Sequence, residues 1–327
     1  MNYESFLQTV KGDLEKRLGM DYQVTLRAIP KNNGIIRDGV SICRKQEEIA
    51  PTIYLNDFFI RLEEGQPLPD VLDSIYHLYL SNPGLPYLDS RALSSYQEVK
   101  DRIVYKLINI QANLPLLKKL PYIPFHDMAM VCYLLMEQKD HGYMTALVHK
   151  EHLKTWRIRE KELFTTAIQN TPLLLPPTIR PMSEMLKQLA QDAFGDSCQE
   201  ESLEAILEAT EEHRMQQNPM FPDLYVLTNS AGVNGAACMA YPHVIKNFAD
   251  RLEQDLIILP SSIHEVLLVT DSGNYDYNEL SCLVKDINDS EVPTEDQLSN
   301  QIYRYSREDD VITIVSHGPV LSGTESR

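Results

Sequence analysis

Ser261-Ser262-Ile263-His264-Glu265 is the sharpest local cluster of serine, histidine and carboxylate in this sequence. Serine, histidine and a carboxylate perform acyl transfer when they converge from separate elements, with the histidine between base and hydroxyl. Five consecutive residues do not meet that need. On an extended strand His264 and Glu265 point to opposite faces. Ser262-x-x-Glu265 also has the form of a capping box that opens one helical turn. We therefore read the cluster as a polar approach to a strand, facing a partner. Asp127 follows His126 and precedes the apolar run 128–136. It is placed to end a loop or neutralise a nearby cation, and is a second acid–base candidate. The third group is the turn Asn229-Ser-Ala-Gly-Val-Asn-Gly235. Reversal between two strands within seven residues predicts a positive φ at Gly232 or Gly235, which glycine adopts without steric cost.

Motifs that mark familiar chemistry are absent. There is no G-x-S-x-G and no G-x-x-x-x-G-K-[ST], and Gly232-Val-Asn-Gly235 lacks the spacing of G-x-G-x-x-G. His149-Lys-Glu-His152 places two imidazoles at i, i+3, without the H-E-x-x-H order of zinc peptidases. No catalytic, cofactor-binding or metal-ligating residue is assigned, and no cofactor is expected. Cys43, Cys132, Cys198, Cys238 and Cys282 are odd in number and irregular in spacing. That pattern fits reduced thiols in a cytosol. The N-terminus has no apolar core of a signal peptide, and the longest apolar run falls far short of the roughly 20 residues of a membrane span. A cytoplasmic protein without membrane association is the expectation.

The elements that must position these groups follow from periodicity. Phe6, Val10, Leu14 and Leu18 make an amphipathic helix over 3–18. Strand-like runs follow at 22–29, 34–44 and 51–55. Asn32-Asn33-Gly34 supplies hairpin chemistry between the first two. Asn56 is placed to cap a helix through Leu62, and Pro69 opens another. Residues 82–98 are rich in Pro, Ser and Gly and read as a linker. The middle stretch predicts a strand over 102–110, a short helix at 114–120 and apolar strands at 127–136 and 143–148. Helices at 149–157 and 159–170, a proline-rich loop 172–181, and helices at 183–193 and 200–215 follow. The last stretch predicts strands at 224–228, 236–240, 256–259, 263–269 and 311–315, with helices from Val244 to Leu252, at 278–288 and at 294–304. Leu224, Val226, Ile257, Leu259, Val266 and Leu268 are the expected core. Short strands without long crossover spacing indicate an α+β fold with mostly antiparallel sheets and packed helices. Its expected units are 1–81, 99–218 and 219–327.

Charge divides the chain sharply. Residues 1–180 hold 22 basic and 21 acidic side chains, whereas residues 181–327 hold 8 and 26. An acidic half of that strength repels phosphate backbones, so nucleic-acid binding is excluded as an expectation and a basic protein is the expected partner. Tyr275, Tyr277, Tyr303 and Tyr305 lie among those acids as candidate aromatic anchors.

The run LYVLTNSAGVNGAACMAYPHVIKNFADRLEQDLIILPSSIHEVLLVTD (224–271) resembles an uncharacterised bacterial family, domain of unknown function 5688. So do VYKLINIQANLPLLKKLPYIPFHDMAMVCYLLM and TALVHKEHLKTWRIREKELFTTAIQN. The resemblance spans about residues 100–315, and the order of elements is more distantly similar to domain of unknown function 1444. It implies one coherent fold and a bacterial source, and assigns no reaction. Two functions remain: a protein-interaction or regulatory module with an acidic C-terminal face, and a hydrolase-like enzyme using Asp127, or His264 with Glu265.

Overall fold

The structure, a computed structural model, describes residues 1–44, 52–81, 95–139, 142–194, 224–260, 262–317 and 321. The fold is α+β, with antiparallel sheets throughout the described residues. It divides into two compact units: Met1–Asp101 with Lys150–Ile158, and Arg102–His149 with Arg159–Gly323.

In the first unit, α1 (Tyr3–Leu18) starts where the Asn2 carboxamide accepts the Ser5 N–H at 2.8 Å and stops at Gly19, whose φ is +77°. Its buried stripe of Phe6, Val10 and Leu14 packs on Val24, Val40, Ile42 and Leu55. β1 (Tyr22–Pro30) and β2 (Ile36–Arg44) form the expected hairpin. Asn33 and Gly34 take positive φ in its turn, as their side chains permit. β3 (Thr52–Tyr54) completes a three-stranded sheet. α2 (Asn56–Glu63) begins at Asn56, but that side chain accepts the Asp38 N–H instead of capping its own helix. α3 (Leu68–Ser81) adds Val71 and Ile75 to the core. The short helix α4 (Tyr96–Val99) brings Tyr96 to Trp156 of α6 (Lys150–Trp156). This unit is therefore built from two separate stretches of chain. The proposed linker 82–98 lies outside the described residues up to position 94.

In the second unit, β4 (Ile103–Asn109), the unexpected β5 (Tyr122–Phe125) and β6 (Met128–Lys139) form a sheet in the order β4-β6-β5, and β7 (Gly142–Leu147) pairs with β6. The short α5 (Leu114–Leu117) leads into β5. α7 (Glu160–Leu174) lies on β4, where the Thr171 hydroxyl accepts the Tyr105 N–H at 3.1 Å. The expected loop 172–181 is corrected. α7 runs on through Pro172, and β8 (Pro177–Pro181) pairs with β9 (Leu224–Asn229). Its prolines are tolerated because β8 is a sheet edge. That sheet runs β13-β12-β10-β11-β9-β8, with β10 at Leu256–Leu259, β11 at Val266–Thr270, β12 at Tyr303–Ser306 and β13 at Val311–Ile314. β8, from the expected unit 99–218, thus shares a sheet with β9, from the expected unit 219–327. α8 (Met182–Phe194) packs on β8. The helix expected at 200–215 lies outside the described residues.

Three further expectations are corrected here. Residues Gly235–Ala240 are a buried 3-10 helix, not a return strand. Residues 263–265 form a turn, and the strand starts only at Val266. Residues 294–304 are not helical: Gln297–Ile302 is an irregular buried segment leading into β12. α9 (Val244–Leu252) and α10 (Tyr277–Glu291) stand where periodicity puts them. Val226, Ile257, Leu259, Val266 and Leu268 are buried, while Leu224 at the strand end is half-buried.

Candidate functional site

Three polar loops meet at one end of the six-stranded sheet. In the first, Asn229 is 3% exposed. Its carboxamide accepts the Ala231 N–H at 3.0 Å and donates to the Val233 carbonyl at 2.8 Å. One side chain thereby satisfies both flanks of the turn, which sequence alone marks only by its Asn and Gly content. Gly232 has φ +64°, as the reversal requires. Gly235 has no positive φ, and its constraint is space. A Cβ there would overlap the His264 carbonyl oxygen and stand 2.8 Å from the Asn229 nitrogen. The 3-10 helix begins directly on the chain that follows β9.

The second loop is the Ser–His–Glu cluster. The Ser262 hydroxyl donates to the Glu265 carboxylate at 2.6 Å and accepts the His264 N–H at 2.9 Å. It is a side-chain-closed turn and not the start of a helix. His264 Nδ1 accepts the Asn234 N–H at 3.3 Å, which places the neutral ring's proton on Nε2. Nε2 faces Asp296 of the third loop at 3.3 Å. The Ile263 N–H donates to the Asp296 carbonyl at 2.8 Å. The His264 carbonyl accepts the Thr228 hydroxyl at 2.8 Å. The geometry of an acyl-transfer triad is not formed: serine bonds glutamate, and the imidazole lone pair is occupied by a backbone N–H. Ser261 lies outside the described residues.

Asp127 sits elsewhere. Its carboxylate accepts the Ser299 hydroxyl at 2.6 Å and the Tyr303 hydroxyl, and its carbonyl accepts the Ile110 N–H. Burial, and then Asp127, push the Tyr303 phenol well above its usual range, so it stays a hydroxyl donor. Beside it Asn109 donates to the Leu298 carbonyl at 3.1 Å. On the far side, Asn288 of α10 donates to the Asn300 carboxamide at 2.9 Å, and the Ser281 hydroxyl donates to the Asn300 carbonyl at 2.6 Å. Polar side chains from two directions therefore satisfy a buried segment that has no ladder of its own. His126, with φ +56°, lies with its ring tilted against Tyr303 at 5.6 Å, and burial lowers its pKa against the opposing pull of Asp127.

The partners of Asp127 and those of His264 share no residue. The structure joins Asn229, Gly235, Ser262, His264 and Glu265 in one polar corner and places Asp127 in another. Sequence reasoning missed Asp296 and Ser299 as members of the two corners and took Tyr303 for a surface anchor, because a helical period over 294–304 concealed their places. The tyrosines are not exposed anchors. Tyr303 and Tyr305 are buried, and Tyr277 and Tyr305 donate to Asp271 and Asp310. Several acids of the C-terminal half also serve the fold: Arg304 bridges Asp255 and Asp271, and Arg307 reaches Asp250.

Among the described residues no His, Cys, Asp or Glu side chains gather as a metal site. Cys132 and Cys238 are buried free thiols, and burial pushes Cys238 up to about 12. No helix among the described residues is long and apolar enough to cross a membrane.

Fold and polar corners together define an α+β protein whose polar residues mainly order its loops. The family described as "Family of unknown function (DUF5688)" matches residues 3–307, and the chain belongs to it. The match includes the N-terminal unit, which the resemblance at 100–315 left out. It gives no support to the distant likeness to domain of unknown function 1444. No curated protein and no solved structure matches the chain.

Proposed function

We propose that this chain is a non-catalytic protein-interaction or regulatory module of the bacterial cytoplasm, which docks a basic protein surface on its acidic C-terminal half. The observation that carries this reading is the outward face of α10. Glu279, Asp286, Asp289 and Glu291 are exposed there around Leu283 and Ile287, which are 39% and 45% exposed. Acids surrounding exposed aliphatic side chains suit a partner that offers both charge and apolar area. Lys285 is tied to Asp289, one turn along the helix. Glu308 and Asp309, in the turn between β12 and β13, are exposed acids of the same half of the chain. The alternative, a hydrolase-like enzyme, has less to stand on, because the hydrogen bonds of Asp127, Ser262, His264 and Glu265 are spent on neighbouring loops.

The test is capture of proteins from a bacterial lysate on the immobilised chain, beside a variant carrying Glu279→Gln, Asp286→Asn and Glu291→Gln. These positions are exposed, so the variant keeps its melting temperature. The reading expects basic proteins held by the wild type near 0.1 M salt and released near 1 M, as the Debye length falls from about 10 to about 3 Å. It expects them to be lost from the variant at both concentrations. Equal capture by wild type and variant removes the proposal.

A further inference from the structure

The six-stranded sheet ends differently on its two sides. β8 carries Pro177 and Pro181, which lack N–H donors, and α8 packs on it. Such an edge resists further pairing. β13, with the sequence Val-Ile-Thr-Ile, contains no proline, and β12 is its only strand neighbour among the described residues. In an antiparallel ladder, alternate residues turn their N–H and C=O away from the partner strand. The outer side of β13 is therefore a template for another strand. Val311 is 44% and Ile314 38% exposed, one on each face of the strand, while Ile312 is half-buried.

The chemistry of the occupant is set by the adjoining turn. Glu308, Asp309 and Asp310 are all exposed there. Asp309 accepts the Ser306 hydroxyl at 2.9 Å and Asp310 the Tyr305 hydroxyl at 2.6 Å, so these carboxylates are fixed at the end of the edge. A second copy of the chain would bring a net charge of −17 against −17. A strand bearing lysine or arginine meets opposite charge at the same place.

We propose that β13 is a strand-addition site for an extended segment of another protein in which basic and apolar residues alternate. The proposal rests on the acidic docking reading above and names the mode of binding. The main chain of the segment pairs with β13, its apolar side chains lie on the face that carries Val311, and its basic side chains meet Glu308–Asp310 at the end of the edge.

The probe is the heptapeptide Lys-Val-Lys-Val-Lys-Val-Lys with blocked ends, compared with the same peptide carrying proline at the central valine. The two have equal charge, and only the first can complete the ladder. Fluorescence anisotropy is expected to show the alternating peptide binding at least tenfold more tightly, and a Val311→Lys/Ile314→Lys variant losing that preference. Hydrogen exchange in the wild type is expected to slow at residues 311–314 when the alternating peptide is added. This readout does not depend on the variant folding. Equal binding of the two peptides, or unchanged exchange at β13, overturns strand addition. If both peptides bind equally and both are released by salt, strand addition fails while the acidic docking face stands. If neither binds, strand addition fails at this edge, and lysate capture alone judges the acidic face. A wild-type dimer in sedimentation that the lysine substitutions split would make the occupant a second copy and overturn the proposal.

Discussion

At the scale of single residues, the two glycines of the 229–235 turn are needed for different reasons, and their substitutions separate those reasons. Gly232→Ala must hold a left-handed conformation with open space around it, which costs roughly 1 kcal/mol. Gly235→Ala must push two backbone atoms aside, an overpacking that reaches about 3 kcal/mol. Urea unfolding should rank Gly235→Ala as the more damaging, and the reverse order would show that the 3-10 helix does not sit on the end of β9. Asp271 gives a second residue-scale test. Burial works to raise its pKa, but hydrogen bonds from the Gly273 N–H, the Arg304 guanidinium and the Tyr277 hydroxyl outweigh it and hold the carboxyl below its usual range. A carboxylate depressed in the folded state stabilises the fold above its unfolded value of about 3.9. That contribution is lost as pH falls through the folded value. Asp271→Asn should therefore lower stability at neutral pH and flatten the acid limb below pH ~4, as read from melting temperatures over the pH series. An unchanged acid limb would deny Asp271 this role.

At the scale of elements, the buried segment Gln297–Ile302 is held by side chains in place of a ladder, so its stability should be concentrated in a few contacts. Asp127→Ala leaves the Ser299 and Tyr303 hydroxyls buried without their acceptor, at about 1–3 kcal/mol for each group. Combined with Ser299→Ala, the cost should be smaller than the sum by at least about 0.5 kcal/mol, because the two substitutions remove one shared contact. Strict additivity would mean that Asp127 does not hold Ser299. The same segment marks where sequence and structure part. α1, the β1–β2 hairpin, β4, β6, β10 and α10 are legible because a period of 3.6 or 2 repeats long enough to fix a face. Leu298, Ile302 and Tyr305 also fall at helical spacing, yet they are buried in an irregular stretch and a strand. The reason is that Asn109, Asp127, Ser281 and Asn288, distant in sequence, supply the hydrogen bonds a helix would otherwise make for itself. β8 was hidden for the opposite reason: its prolines read as loop, and only a place at a sheet edge makes them tolerable. In the polar corner, sequence marked Asn229, Ser262, His264 and Glu265 but not Asp296, which the fold brings to His264 from 32 residues away.

At the scale of the whole molecule, the charge asymmetry along the chain becomes two populations of acids. Asp250, Asp255, Asp271 and Asp296 are engaged with Arg304, Arg307 and His264 and help to order the sheet and its loops. Glu279, Asp286, Glu291 and Glu308 stand in solvent, and they are the acids proposed to meet a partner. Salt separates the two, because exposed charges are screened and partly buried pairs much less so. Melting temperature should therefore respond weakly to salt while association responds strongly. The most direct measurement is the dissociation constant of a captured basic partner over a salt series from about 0.1 to 1 M, for the wild type and for the Glu279→Gln/Asp286→Asn/Glu291→Gln variant. The wild type should weaken steeply with salt, and the variant should start weaker and change little. Curves that coincide at every salt concentration would contradict the acidic docking face.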